Sequence, residues 1–239
     1  MNSKPLVVSS LSRSFGGLRA VDELCFELQE GEIFGFLGPN GAGKSTTLKM
    51  LTGFLKPTSG KIRVYGYDPF HDGMKVKPLI GVVPEELQFY DRLSGREFLE
   101  FTARMFQVED YSYHVENLLE LLDLKDQQDQ FILEYSHGMK KKLALASALI
   151  HRPKILFLDE PFTGMDALSV IKVRKFLESL KEEGVTIFFS SHILEIVEKI
   201  SDRIGIIMKA KLLGVGSSEE LTKKFGAASL EDVFLKDAF

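Results

Sequence analysis

Cysteine is nearly absent from this sequence: Cys25 is the only one in 239 residues. An internal disulfide is thereby excluded, and so is any multi-cysteine metal site. No apolar run approaches the roughly 20 residues that a membrane-spanning helix needs. Nor does a long apolar run follow the first lysine, so no signal peptide is expected. An excess of positive charge is lacking too. The 30 Lys and Arg residues face 34 Asp and Glu, a net charge of −4, and nothing global suggests nucleic acid as a partner. Internal repeats and low-complexity segments are missing. The length suits one domain, or a domain with a small lobe, and the 44% of hydrophobic residues supply a sizeable core. These absences together lead to the expectation of a soluble chain in the cytoplasm.

What is present is organised around Gly38-Pro39-Asn40-Gly41-Ala42-Gly43-Lys44-Ser45-Thr46. This stretch fits the phosphate-binding pattern G-x-x-x-x-G-K-[ST] at every fixed position. Before it, Glu32 to Leu37 reads as a buried strand. After it, Ser45 to Leu55 places Leu48, Leu51, Phe54 and Leu55 at helical spacing. The motif thus lies between a strand and a helix N-terminus, where its chemistry operates. Glycines let the backbone curl so that successive N–H groups point inward at an anion. The open N–H groups and the dipole of the new helix add to that positive pole. By the same motif, Lys44 reaches the β- and γ-phosphates of a nucleotide and the Ser45 hydroxyl binds Mg²⁺.

Around that centre the chain reads in order. Leu6 to Phe15 and Val21 to Leu28 are predicted strands joined at Gly16-Gly17, the second with one wet face. Phe15, just before the turn, is either a half-buried strand aromatic or a platform on which a base stacks. Lys61 to Tyr65 is a short strand after the break at Pro57 to Gly60. Leu79 to Val83 is an apolar strand buried on both faces, ending at Pro84-Glu85-Glu86. In parallel sheets ligands sit at that edge, so Glu85 or Glu86 faces a metal or water, or both are surface carboxylates. Residues 94–151 carry no strand pattern and are predicted to be a helical lobe inserted between two strands. Phe98, Phe101, Thr102, Met105 and Phe106 are read as one face of its first helix, with Phe89, Tyr90 and Met105 in the core.

Tyr135 to Met139 leads into a helix over Lys140 to Ile150. Ser136 is placed to cap it, and Gly138 allows an anion close to its N-terminus. Lys140-Lys141-Lys142 reads as a solvated basic turn. Lys154 to Glu160 is a second marked stretch, an apolar strand with two carboxylates at its end. Side chains alternate along a strand, so Asp159 and Glu160 face opposite ways. One can hold Mg²⁺ and the other address a water. Gly164-Met165-Asp166 turns into a helix over Ala167 to Glu183. Val185 to Phe189 is another strand, ending at Ser190-Ser191-His192. Ile204 to Met208 and Leu212 to Val215 form a terminal hairpin, and a short helical tail follows.

In this order the motifs resemble the nucleotide-binding subunit of an ABC transporter over essentially the whole chain. The phosphate loop occupies 38–46, Glu85 the place of the Q-loop residue, and Ser136 to Met139 the signature. The Walker B strand follows at 155–160, the D-loop at 164–166 and the switch histidine at His192. The resemblance implies an α/β fold of the P-loop ABC ATPase type, with a mostly parallel core sheet, an N-terminal antiparallel β lobe and an inserted helical lobe. It implies one such domain over 1–239, with the lobe at about 86–151 and a tail at about 217–239. ATP and Mg²⁺ are the implied ligands. Phe15, residues 38–46, Ser136, Gly138 and Asp166 would contact nucleotide, and Ser45, Asp159 and Glu85 the metal. Glu160 would polarise the attacking water, with His192 supporting the γ-phosphate.

Two departures stand out. Glu85 replaces the family's glutamine and adds a negative charge near the ion. His137 replaces the first glycine of the LSGGQ signature, while Ser136 and Gly138 keep the hydroxyl and the close-approach glycine. With the ending Ser229 to Leu235, both resemble the exporter branch that pairs with ABC-2 type permeases. The resemblance then implies a second nucleotide-binding subunit, identical or different, closing head to tail on ATP. It also implies separate transmembrane permease subunits and a place on the cytoplasmic face of the membrane. The alternatives are an importer ATPase, a non-transport ABC ATPase acting on ribosomes or DNA, and a module that has lost catalysis. The lack of a second cassette and the acidic charge weigh against ribosomes or DNA as partners. Intact Lys44, Asp159, Glu160 and His192 weigh against loss of catalysis.

Overall fold

A computed structural model describes residues 4–236, so the last three residues of the expected tail lie outside the described part. In chain order the elements are β1 (Leu6–Phe15), β2 (Leu18–Leu28), β3 (Ile33–Leu37), α1 (Lys44–Leu51), β4 (Ser59–Val64), α2 (Gly73–Val76) and β5 (Ile80–Val83). The helices α3 (Gly95–Met105), α4 (Tyr111–Leu121) and α5 (His137–Leu149) follow, then β6 (Ile155–Asp159), α6 (Ala167–Glu182) and β7 (Thr186–Ser191). Last come α7 (Leu194–Ile200), β8 (Arg203–Met208), β9 (Lys211–Gly216), α8 (Ser218–Phe225) and α9 (Leu230–Lys236).

Strands β2, β1 and β4 make a three-stranded antiparallel sheet, and six more run in the order β5-β6-β7-β3-β8-β9. All neighbours in the larger sheet are parallel except β9, which is antiparallel to β8. This is the α/β architecture that the motifs imply. The central strands β3, β6 and β7 are buried at every position, which explains why apolar residues dominate them.

Their period of two still sorts side chains between two cores. Ile33, Leu37, Leu156, Leu158, Ile187 and Phe189 join a core shared with the helical lobe. Phe34, Phe36, Ile155, Phe157 and Phe188 join the core under the antiparallel sheet. There the ring of Phe188 lies 5.4–6.2 Å from those of Phe26, Phe34, Phe36 and Phe157. Burial of each such ring contributes about 1.5–3 kcal/mol.

Gly35 interrupts the phenylalanines of β3 for a steric reason. A Cβ there would stand 2.3 Å from Ser201 Oγ and 2.6 Å from Val197 Cγ1. The close approach seats α7, which the sequence reading passed over between His192 and Ile204.

Three further readings are corrected. Helix α1 ends at Leu51 rather than Leu55, because Gly53 turns left-handed at φ 80°, and Phe54 is left 78% exposed. On α3 the inward stripe is Gly95, Leu99 and Ala103, not the phenylalanine face. At its start the helix packs so closely that a Cβ on Gly95 would meet the Tyr135 hydroxyl at 2.2 Å, so only glycine fits there. Tyr90, Phe101, Met105 and Phe106 are exposed instead. Finally, the lysine run is no solvated turn: α5 already begins at His137, and its Lys141 is buried.

Candidate active site at the sheet edge

The C-terminal ends of β3, β6 and β7 lie side by side, with Leu37 opposite Ser191 and Asp159 opposite Ser190. From β3 the chain enters the phosphate loop. The Gly38 N–H donates to the Ser191 carbonyl (3.2 Å) and the Ala42 N–H to that of Pro39 (3.2 Å). Gly41 and Gly43 are left-handed at φ 79° and 107°. A Cβ on Gly43 would stand 2.4 Å from the Ala20 carbonyl oxygen, so conformation and space both require glycine. Gly43 caps α1 without a side-chain acceptor, which leaves the first N–H groups open to an anion.

Lys44 is buried, and its ammonium donates to the Gly38 and Pro39 carbonyls at 2.8 and 3.2 Å. It also stands 3.2 Å from Glu160 Oε1. That oxygen has no directed hydrogen-bond donor among the described residues, so the contact is one of charge. The other oxygen, Oε2, accepts from His192 Nδ1 at 3.0 Å and from the Thr163 hydroxyl at 3.4 Å.

Alternation along the strand does not set the direction of Glu160. Strand β6 stops at Asp159, and Glu160 turns left-handed at φ 48°. Its N–H donates to Ser190 Oγ (3.1 Å), whose own hydroxyl donates to Asp159 Oδ1 (2.5 Å). Its carbonyl accepts from Lys141 Nζ at 2.8 Å. Ser190 and Lys141 were not singled out from the sequence. The register of β6 against β7 carries the signal for Ser190. The i, i+4, i+8 spacing of Lys141, Leu145 and Leu149, all buried, carries it for Lys141.

The signature residues gather elsewhere in the chain. Ser136 caps α5, its Oγ accepting from the Met139 N–H at 3.2 Å. The ring of His137 packs on Gly164, where a Cβ would stand 2.8 Å from His137 Cδ2. Gly138 has open space beside it, Ser136 Oγ at 4.0 Å being the nearest atom to an added Cβ. Asp166 caps α6 by accepting from the Ser169 N–H (2.9 Å) and Oγ (2.7 Å), and these bonds hold its carboxyl below the usual range. Ser136, His137, Gly138, Gly164 and Asp166 line a recess of about 300 Å³ that includes no residue of the phosphate loop.

Two other expected site residues stand apart from the Lys44–Glu160–His192 group. Phe15 is exposed at the tip of the β1–β2 hairpin, 4.5 Å from the Arg13 guanidinium. Glu85 is exposed just past β5, and its charge reaches Lys141.

Comparison with known proteins shows the family. The ABC transporter family profile matches residues 21–163. The bacitracin transport ATP-binding protein BcrA of Bacillus licheniformis is 38% identical over 90% of this chain and 71% of its own length. The linearmycin resistance ATP-binding protein LnrL of Bacillus subtilis is 34% identical over 94% of this chain and 73% of its own. Among solved structures, an ATP-binding subunit of an ABC transporter superposes with a TM-score of 0.90 at 28% identity, covering 97% of this chain and 98% of that one. A loop built for phosphates, held beside a buried carboxylate and a histidine on this sheet, therefore belongs to a known machine: the chain is a member of the ABC transporter family, an ATP-hydrolysing, ATP-binding subunit.

Proposed function

We propose that the chain powers an exporter, closing head to tail with a second nucleotide-binding subunit on two ATP molecules and acting on separate permease subunits. The observation that carries this reading is the cluster of Lys44, Glu160 and His192 at the ends of β3, β6 and β7. In it, Lys44 and the open N–H groups of the 38–46 loop bind the phosphates. Glu160 takes the proton of the attacking water and His192 supports the γ-phosphate, so the protein supplies position and charge. Phe15 would stack on the base.

The donor set suits a magnesium ion. Ser45 and Asp159 offer a hydroxyl and a buried carboxylate, with Glu85 a further candidate, and no cage of three or more acidic, His or Cys side chains exists among the described residues. Magnesium is bound in this way, by one or two protein oxygens together with substrate phosphates. It would neutralise charge on the β- and γ-phosphates.

Ser136 and Gly138 lie in a recess apart from the phosphate loop, which supports a site completed across two copies. The names of the relatives, bacitracin transport and linearmycin resistance, favour export. No helix among the described residues is long and apolar enough to cross a membrane, in keeping with a peripheral place on the cytoplasmic face. Exposed Tyr90 and Phe101, edge to face at 5.6 Å, and nearby Met105 supply an apolar surface by the Glu85 loop for a permease.

The test is purification of the tagged full chain from membranes, followed by reconstitution. A co-purifying permease, with ATP-dependent efflux from the cytoplasmic side, is the expected result. ATP-dependent uptake in that direction assay, or transport by this chain with no other protein, overturns it.

A further inference from the structure

The lysine run at the start of α5 holds a residue that the mechanism above does not use. Lys141 is only 3% exposed. Its surroundings include Val83, Leu145, Leu158, Pro161 and Met165, an apolar wall. A charged group there is disfavoured unless it meets acceptors or opposite charge, and burial pushes its ammonium pKa down. Lys141 finds both. Its Nζ donates to the Glu160 carbonyl at 2.8 Å, and the charges of Glu85, Glu160 and Asp159 all bear on it.

Glu160 has reason to need the contact. Its φ of 48° lies in the left-handed region, which a side chain with a Cβ disfavours. The Ser190 hydroxyl fixes its N–H from one side and Lys141 fixes its carbonyl from the other. Between them the peptide groups on both sides of the Glu160 Cα are pinned, and the carboxylate is aimed at Lys44 and His192.

We propose that Lys141 is a positioning residue that holds Glu160 in its left-handed turn, tying the geometry of the water-polarising carboxylate to the helix that Ser136 caps. The proposal rests on the reading of Glu160 as general base. Because α5 begins at the signature, Lys141 is also a rigid link from one ATP contact of the chain to the carboxylate of the other.

The test uses steady-state ATP hydrolysis by the full chain and by Lys141→Met, Lys141→Gln and Lys141→Arg. Methionine follows most of the lysine stem, carries no donor and suits the apolar wall, so Lys141→Met should fold. Its kcat is expected to fall about tenfold to a hundredfold with KM for ATP within about threefold, less than the 10²–10⁴-fold loss on removing a general base. Lys141→Arg, which keeps a charged donor, should recover part of the rate, and Lys141→Gln, too short to reach the carbonyl, should not. In a Glu160→Gln background Lys141→Met should add almost nothing, because it acts through Glu160. A wild-type kcat in Lys141→Met, or in Lys141→Gln should the first variant not fold, overturns the proposal. The same loss in both backgrounds does so as well. A wild-type rate in Glu160→Gln alone overturns instead the general-base reading on which the proposal rests.

Discussion

Lys44 and Glu160, 116 residues apart in sequence, meet at 3.2 Å with both side chains almost wholly buried. This ion pair ties the phosphate loop to the end of β6. On the reading proposed for Lys44, bound phosphates would share its ammonium with this carboxylate. Lys44→Ala removes a charge-assisted contact of about 1.5–3 kcal/mol to the phosphates, a loss of roughly one to two decades in affinity. Calorimetry with MgATP measures it; unchanged affinity would remove the phosphate loop from nucleotide binding.

The same pairing makes Glu160→Gln informative about association. With the competing charge gone, ATP affinity should match or exceed that of the unaltered chain. The variant should gather as an ATP-bound dimer that elutes earlier from a sizing column. Ser136→Ala in that background takes a hydroxyl from the opposing face, so the dimer should weaken while each chain still binds ATP. A dimer indifferent to Ser136→Ala would show that the recess at Ser136 and Gly138 does not face the second nucleotide.

Leu99 and Phe101, two positions apart on α3, should separate stability from docking. Leu99 is fully buried, so Leu99→Ala should cost about 2–5 kcal/mol and lower the denaturant midpoint. Phe101 is 41% exposed, and Phe101→Ala should leave the midpoint nearly unchanged while weakening co-purification of the permease. If Phe101→Ala proves as destabilising as Leu99→Ala, the exposed aromatic face is part of the core.

Acid should weaken the fold through His151. Its ring stacks on Phe106 with centroids 3.9 Å apart, and its Nε2 bonds the Ile80 carbonyl at 2.9 Å. Burial holds its pKa below the usual histidine value, the opposite of a histidine that gains an anionic partner. The unfolded chain therefore takes up the proton first, and stability falls as pH drops below about 6.5 toward the lower folded value. Denaturant midpoints at pH 7.5 and 5.5 should show that loss, reduced in His151→Gln. An equal acid loss in both proteins would assign it to other groups.

The site was more legible in the sequence than the packing around it. The phosphate loop and the acidic strand end are local motifs, and apolar residues dominate the strands that carry them, so both could be read directly. The reading failed where distance along the chain decides. Gly95 faces inward on α3 because Tyr135 sits against the helix there, a contact no local pattern encodes. Lys141 looked like solvent-facing charge because its acceptor, the Glu160 carbonyl, is 19 residues away. Glu160 itself was placed by strand alternation, whereas its direction comes from a left-handed turn pinned by Ser190 and Lys141.

The central claim is that Glu160 polarises the attacking water, and single-turnover hydrolysis of γ-labelled ATP by Glu160→Gln tests it most directly. With the chain in excess over ATP, both proteins should bind the nucleotide fully. Release of labelled phosphate by Glu160→Gln should then be slower by about 10²–10⁴-fold. Release at the rate of the unaltered chain would contradict the account and return the role to Asp159, His192 or Glu85.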